Sequence, residues 1–521
     1  MINVSAHAVN LSPIVNAIAQ GQTDTARHLL RAVFPIPQLD DALLSDLLAL
    51  SNQLDDDELA QQLLGYSVAN PACQLARISA YCYAKQHGLI TIAQALWPEV
   101  KYRLQQRPEL FANYRSLPLL FLAEPNSDSA FNLWVHQQAF QAQQSKPPTK
   151  PIVAKPRPKL QRPLRVGIVS GDLRQHSLGQ LIQGFYAHHD PALLHLYSFY
   201  TGAQQDALTQ WFKQASQAFI PCHDLDLASL AACIASHEID ILLDLSGFTQ
   251  DSAHRVTQFS PAGMHISYLG YPFTSGHDCI DYYLCDEILW GEHSAAYFSE
   301  RPLFIAGGFV SRAAGDIDVP RRPANQEIVL GCLNSPYKFS VELLQAWCEI
   351  LPQLPQTKLK LAHPKLANPS TIMHLHQFFH AQGVATKRIE YLTTNPKAGH
   401  LAHYANMDIA LDTFPVTGGT TTLDALRMSV PVVTRSGEVV YQRASESILR
   451  HSGLDVSALI AADTEAYIAR VVDLVNHPTR LRTYQDTLYT QAKTTALFHP
   501  VQHATALQTA LIAAWEEGTH D

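Results

Sequence analysis

Asp408 to Thr434 reads DIALDTFPVTGGTTTLDALRMSVPVVT. Ile409 to Leu411 is a short apolar run with the flanks of a buried strand. A turn carrying Pro415, Gly418 and Gly419 follows, then Thr420, Thr421 and Thr422. Leu423, Ala425, Leu426 and Met428 suit a short helix, and Val430 to Thr434 suits the next strand. Strand, glycine-rich turn, helix and strand make a βαβ unit, in which parallel strands are buried on both faces. The helix start presents unpaired N–H groups backed by the positive end of the helix dipole, a place for phosphate. The glycines let a ligand approach the backbone, the threonines add hydroxyls, and Asp424 suits a ribose hydroxyl. The same residues also serve simply to make a turn and cap a helix, and a glycine-rich turn alone does not decide between the two.

The α/β pattern extends to both sides of this stretch. RVGIVSGD from Arg165 is a strand ending in a small-residue turn, with His176 and Ser177 just beyond it. Leu196 to Tyr200, Ile239 to Leu245 and His265 to Leu269 read as further strands, and Leu227 to Ser236 as a helix. The segments GD…HS, SGFT (246–249) and GYPFTSG (270–276) fall at the carboxyl ends of these strands, where doubly wound sheets gather ligands. A second such region starts at Ile328 to Leu333. It runs through Asn334-Ser335-Pro336-Tyr337-Lys338 into an amphipathic helix from Val341 to Leu351. Strands at Leu359 to Leu361 and Ile389 to Leu392 follow, and Lys397 and His400 precede the central stretch.

Residues 1–145 read as all-helical, with leucines recurring at helical spacing. Gly21, Ala26, Leu29 and Gly88, Ala93, Leu96 share the spacing G-x4-A-x2-L, two tetratricopeptide-like periods of about 34 residues apart. An irregular helical bundle is the competing description. Residues 146–164 alternate proline with lysine and arginine, the composition of an extended linker. The expected division is therefore a helical domain (1–145), a linker (146–164), an N-terminal Rossmann-like lobe (165–315), a crossing near Asp316 to Glu327, a C-terminal Rossmann-like lobe (326–485) and terminal helices (486–521).

Composition narrows the function classes. A net charge of −9 implies neither a nucleic-acid footprint nor a charged tail. The eight cysteines form no CxxC pair, so buried reduced thiols are expected rather than zinc or disulfides. No signal peptide and no apolar run of membrane-spanning length is visible, so a cytoplasmic location is expected.

LDTFPVTGGTTTLDAL followed by PVVTRSGEVVYQRAS resembles the nucleotide-sugar site of the O-GlcNAc transferase family, GT-B glycosyltransferases that modify protein Ser and Thr. VGIVSGDLRQHS, DLSGFTQDSAHR and YLGYPFTSG resemble that family's first-lobe loops, so the likeness spans roughly Arg165 to Arg443. It implies inverting, metal-independent transfer of a sugar, GlcNAc above all, from a UDP-sugar to a protein acceptor. No cofactor is implied. Lys338, in NSPYK, would match the family's diphosphate-binding lysine, with Asn334 on the same loop. Thr420, Thr421 and Thr422 would hold the same phosphates beside Gly418 and Gly419. Lys397 and His400 would hold ribose and uracil, and Asp424 the ribose hydroxyls. His176 would be the active-site histidine, as a base or as an orienting group. Gly270, Tyr271, Pro272 and Thr274 would line the sugar pocket through backbone groups. The role of Asp240 is left open, and Arg443 pairs either with the loop near Glu438 or in a structural salt bridge. Gly419 departs from the animal enzymes, which carry histidine there, and is compatible with a bacterial or plant-like form. The alternatives are a cytoplasmic Asn-glucosyltransferase, a non-catalytic UDP-sugar-binding scaffold, and a GT-B epimerase, for which no carboxylate pair is visible.

Overall fold

Val, Ile and Leu runs without polar alternation dictate strands covered on both faces. The computed structural model describes residues 10–33, 40–70, 72–125, 127–143, 161–249, 252–312, 327–392, 399–491 and 494–517. Among these residues thirteen strands form two all-parallel sheets. The first contains β1 (Leu164–Ser170), β2 (Leu194–Tyr200), β3 (Ala218–Pro221), β4 (Ile241–Asp244), β5 (Met264–Ser267), β6 (Tyr282–Cys285) and β7 (Arg301–Phe304). Its order is β3-β2-β1-β4-β5-β6-β7. The second contains β8 (Val329–Cys332), β9 (Lys358–Ala362), β10 (Ile389–Leu392), β11 (Ile409–Leu411), β12 (Val432–Arg435) and β13 (Ile460–Ala461), in the order β10-β9-β8-β11-β12-β13. Each sheet reverses its winding once, between β1 and β4 and between β8 and β11. Those are the switch points at which open α/β sheets bind ligands.

Two Rossmann-like lobes behind an all-helical domain is therefore the observed architecture. The differences from expectation are local. β1 begins at Leu164, which is buried and paired with Leu194, one residue before the expected lobe boundary. β3, β6, β7 and β13 add to the expected strands. The terminal helices divide between the lobes: Pro478–Gln491 contributes Leu481, Tyr484 and Leu488 to the second core. Pro500–Glu517 returns to the first, where Leu507, Leu511, Ala514 and Trp515 complete the apolar cluster under Ser177–His188. Most of the linker at 146–164 and all but Glu327 of the crossing lie outside the described residues.

The helical domain contains antiparallel pairs, Ser12–Ala19 with Thr23–Val33, Asp41–Gln53 with Asp57–Ala69, and Gln74–Gln86 with Ile90–Gln106. The turns inside the pairs hold Gly21 (φ 71°), Asp55 (φ 51°) and Gly88 (φ 68°) in the left-handed region. Asp55 is followed by Ala60 and Leu63 at the same spacing as after the two glycines, so the middle repeat is present with aspartate standing where glycine is usual. Contacts at this period support the reading: Ser45 bonds Ser79 at 2.8 Å and Asn52 bonds Gln86 at 2.8 Å, each 34 residues on. Ser129–Ala142 closes the domain, and its aromatic face shares one apolar core with Phe248, Tyr271, Phe273 and Tyr441 of the lobes. All eight cysteines are free thiols. Among the described residues, no helix is long and apolar enough to cross a membrane.

Candidate nucleotide-sugar site

The second lobe's switch point is organised by Asp412, a buried carboxylate directly after β11. It accepts the N–H groups of Thr413 (2.9 Å) and Gly418 (2.7 Å), the Thr434 hydroxyl (2.7 Å) and the Asn334 amide (3.2 Å). Burial pushes its carboxyl above the usual range, opposed by the Ser445 and Thr434 hydroxyls and by Lys338. These bonds fold the 413–418 turn back on the strand and leave no room beside Gly418, where a Cβ would stand 2.5 Å from the Thr422 hydroxyl. A side chain on Gly419 would meet open space.

Lys338, in the loop after β8, donates to the Thr417 carbonyl (2.8 Å) and to Asn334 Oδ1 (3.0 Å). The same Asn334 oxygen accepts the Thr421 hydroxyl at 3.0 Å. One amide oxygen thus gathers the ammonium and the helix start from opposite sides of the switch point. Two of the three ammonium protons are used, leaving a third. Burial lowers Lys338 from its ordinary value and Asp412 opposes the shift. The helix Thr420–Arg427 begins at Gly419, and no side chain caps it. Its first N–H groups are therefore what an anion would meet.

The threonines do three different things. Thr420 is half-buried, and Thr421 bonds Asn334. Thr422 is buried, with its hydroxyl 2.6 Å from that of Ser445, so it stabilises the turn and offers an incoming phosphate only its N–H. Asp424 is buried (side chain 4% exposed) and already paired with Arg312. His400 Nε2 lies 3.9 Å from the other carboxylate oxygen, with its side chain 42% exposed. Burial depresses the His400 pKa, opposed by Asp424. His363, whose neighbours include Lys338 and His400, is pushed down to about 4 and is neutral at ordinary pH. Lys397 lies outside the described residues.

On the first lobe, His176 caps Ser177–His188, its Nδ1 accepting the Leu178 N–H at 3.3 Å and lying 3.6 Å from Asp172. A neutral ring held this way carries its proton on Nε2 and is a donor there. Burial lowers its pKa, opposed by Asp172. The GYPFTSG loop is close-packed: a Cβ on Gly270 would stand 1.6 Å from the Leu245 carbonyl oxygen. Pro272 is half-buried. The Tyr271 hydroxyl bonds His136 of the helical domain at 2.7 Å, and its carbonyl accepts the Tyr283 hydroxyl. The Thr274 hydroxyl donates to the buried Glu300 at 2.7 Å. These two side chains are committed to packing, which leaves the loop's backbone groups as what it could offer a sugar. Asp240 pairs with Arg162 at 2.7 Å at the opposite, amino end of its strand and is structural. Arg443 bonds the Ile288 carbonyl and the Gly437 carbonyl of the loop near Glu438, and pairs with Glu446 at 3.0 Å, so both expected contacts are present.

Sequence reasoning misses Arg312, Ser445 and Lys85. Lys85, buried in the helical domain, donates to the Phe339 carbonyl (3.3 Å) and meets Glu124 (3.1 Å), so it holds the lysine loop from behind. No local pattern marks these residues, because each acts through a partner 23 or more positions away.

Two doubly wound lobes with a cation and an uncapped helix start at one switch point define a GT-B fold. The chain belongs to glycosyl transferase family 41, whose model matches residues 146–316 and 321–507. It is 27% identical over 330 residues to a probable UDP-N-acetylglucosamine–peptide N-acetylglucosaminyltransferase, SPINDLY, of Arabidopsis thaliana, covering 62% of this chain and 36% of that one. It is 24% identical over 367 residues to the probable transferase SEC of the same plant, covering 68% and 37%. The chain thus spans little more than a third of these relatives. A solved O-GlcNAc transferase of Thermobaculum terrenum, determined as a point mutant, superposes with TM-score 0.85 at 25% identity, over 98% of this chain and 97% of that one.

Proposed function

We propose that the chain is an inverting protein O-glycosyltransferase that moves a sugar, GlcNAc first among candidates, from a UDP-sugar to Ser or Thr of cytoplasmic proteins, without a metal. The carrying observation is the convergence of Lys338 Nζ and Thr421 Oγ1 on the single Asn334 oxygen. The acceptor hydroxyl attacks the anomeric carbon from the face opposite the diphosphate, the bond to UDP breaks as the new one forms, and the hydroxyl proton passes to the departing phosphate or to solvent. Charge then grows on the leaving phosphate, where Lys338 and the N–H groups of Thr420 to Thr422 meet it with fixed dipoles that need no reorganisation. His400 and Asp424 take the nucleoside, and His176 donates from Nε2 to the sugar or acceptor. The plant relatives, probable UDP-N-acetylglucosamine–peptide N-acetylglucosaminyltransferases, favour the same substrate class.

The test is incubation with radiolabelled UDP-GlcNAc and UDP-Glc and mixed protein acceptors, with and without EDTA, followed by mass spectrometry of the modified residue. Label on Ser or Thr that survives EDTA is expected. Label on Asn, dependence on added metal, or UDP binding with no transfer each overturns a stated part.

A further inference from the structure

Arg312 joins the two lobes. Its guanidinium pairs with Asp424 of the second lobe and with the Gln180 side-chain oxygen on the first-lobe helix that His176 caps. Its own backbone is fixed, since its N–H donates to the Leu497 carbonyl at 2.8 Å and the neighbouring Ser311 hydroxyl bonds the same carbonyl at 3.0 Å. The side chain is only 13% exposed, and a planar fork suits such bridging better than an ammonium would. The contact takes Oδ1 of Asp424 and leaves Oδ2 turned toward His400.

We propose that Arg312 is the positioning residue of the donor site. It holds the Asp424 carboxylate so that Oδ2 receives a ribose hydroxyl, and through Gln180 it sets the spacing between the bound nucleotide and the His176 helix. This rests on the donor-site reading above. Two consequences separate it from a merely structural ion pair. Without the guanidinium, Asp424 remains buried among Tyr404, His400 and Arg427 and binds a proton more readily, so nucleotide binding becomes sensitive to acid. The Gln180 arm, by contrast, serves transfer and not nucleotide affinity.

The experiment is calorimetric titration of the full chain with UDP from pH 8 to pH 6, beside the rate of sugar transfer. Wild type is expected to bind with little change across the range. R312Q is expected to bind about tenfold more weakly at pH 8, the loss of one charge-assisted bond, and more weakly still toward pH 6. Adding Asp424→Asn to R312Q removes that slope. A slope that persists belongs to His400 and overturns the assignment to Asp424. R312K, which keeps the charge, restores binding at pH 6 but not the transfer rate, and it serves if R312Q folds poorly. Q180A binds UDP as wild type does but transfers roughly fivefold more slowly. R312Q variants that lose only thermal stability, with binding and transfer unchanged, overturn the proposal. Wild type that binds no UDP overturns instead the donor site on which it rests.

Discussion

The two switch points of this molecule are built to different standards. At β8 and β11, Asp412, Asn334, Lys338, Gly418 and Thr421 converge on shared partners within 3.2 Å, and Asp412 and Asn334 are buried. At β1 and β4, Asp244 is likewise buried and accepts the Gly247 N–H at 2.9 Å, but the His176 side chain has one long bond to a backbone N–H and is 43% exposed. Under the proposed function the difference follows from what each half would do. A diphosphate is the same in every turnover, and a prearranged set of donors avoids the entropy of assembling one. The proposed protein acceptor varies, and the half that would receive it has open polar groups. Lys338→Ala tests the prearranged half most severely. Loss of the cation placed among these groups is expected to cut transfer about a thousandfold, with folding intact by circular dichroism. A loss below tenfold removes Lys338 from the leaving-group site and levels the contrast between the halves.

The rigidity of the donor half is partly borrowed. Lys85 lies in the helix Gln74–Gln86 of the repeat domain, yet its ammonium reaches the Phe339 carbonyl one residue past Lys338. It also neutralises Glu124, which accepts the Tyr81 hydroxyl at 2.8 Å. Lys85→Ala leaves that carboxylate buried without its cation, at a cost of about 3 kcal/mol in chemical denaturation. UDP affinity should fall with it, measured by titration at a temperature where the variant is folded. Lost stability with unaltered affinity would show that the donor half stands without the helical domain.

The sharpness of the sequence signal follows the same division. Long apolar runs such as Val166 to Val169 and Ile409 to Leu411 identify buried parallel strands because both faces must be covered. β3 and β7 give no such signal because they form the two edges of their sheet and are partly exposed, so their side chains need not be uniformly apolar. The donor-half residues are legible because backbone geometry imposes them: glycine where no Cβ fits, threonines at a helix start. The middle helical repeat is hidden by a single change, aspartate at a left-handed turn. Arg312 is invisible for a different reason, since its 112-residue separation from Asp424 is closed only by the fold.

His176 probes the open half and its effect should be smaller. With Nδ1 on the Leu178 N–H, Nε2 keeps its proton whether the ring is neutral or charged. Burial also holds the pKa below the ordinary 6.5, so the ring is neutral from about pH 7 to 9. The transfer rate should be flat over that range. His176→Ala should cost about tenfold, the worth of one hydrogen bond, without changing the profile's shape. A base would behave otherwise: the rate would fall as pH drops through its pKa, and that limb would vanish in the variant.

The smallest effect is expected at Gly419, and it bears on the contrast because its neighbour is so different. Gly418 is hemmed in by the Thr421 and Thr422 hydroxyls and Asp412, whereas a Cβ on Gly419 finds nothing within 4 Å, although its φ of −116° and ψ of −88° lie outside the ordinary helical range. Gly419→Ala should therefore cost only about 1 kcal/mol, from backbone conformation and not from crowding. Gly418→Ala, forced against three polar atoms, should cost roughly 2 kcal/mol. Gly419 sits at the start of the phosphate-facing helix, so the space beside it belongs to the ligand side. Gly419→His should likewise fold normally while changing the relative rates with UDP-GlcNAc and UDP-Glc. Unchanged donor preference in a folded Gly419→His variant would mean that this opening is solvent and not part of the sugar-nucleotide cleft.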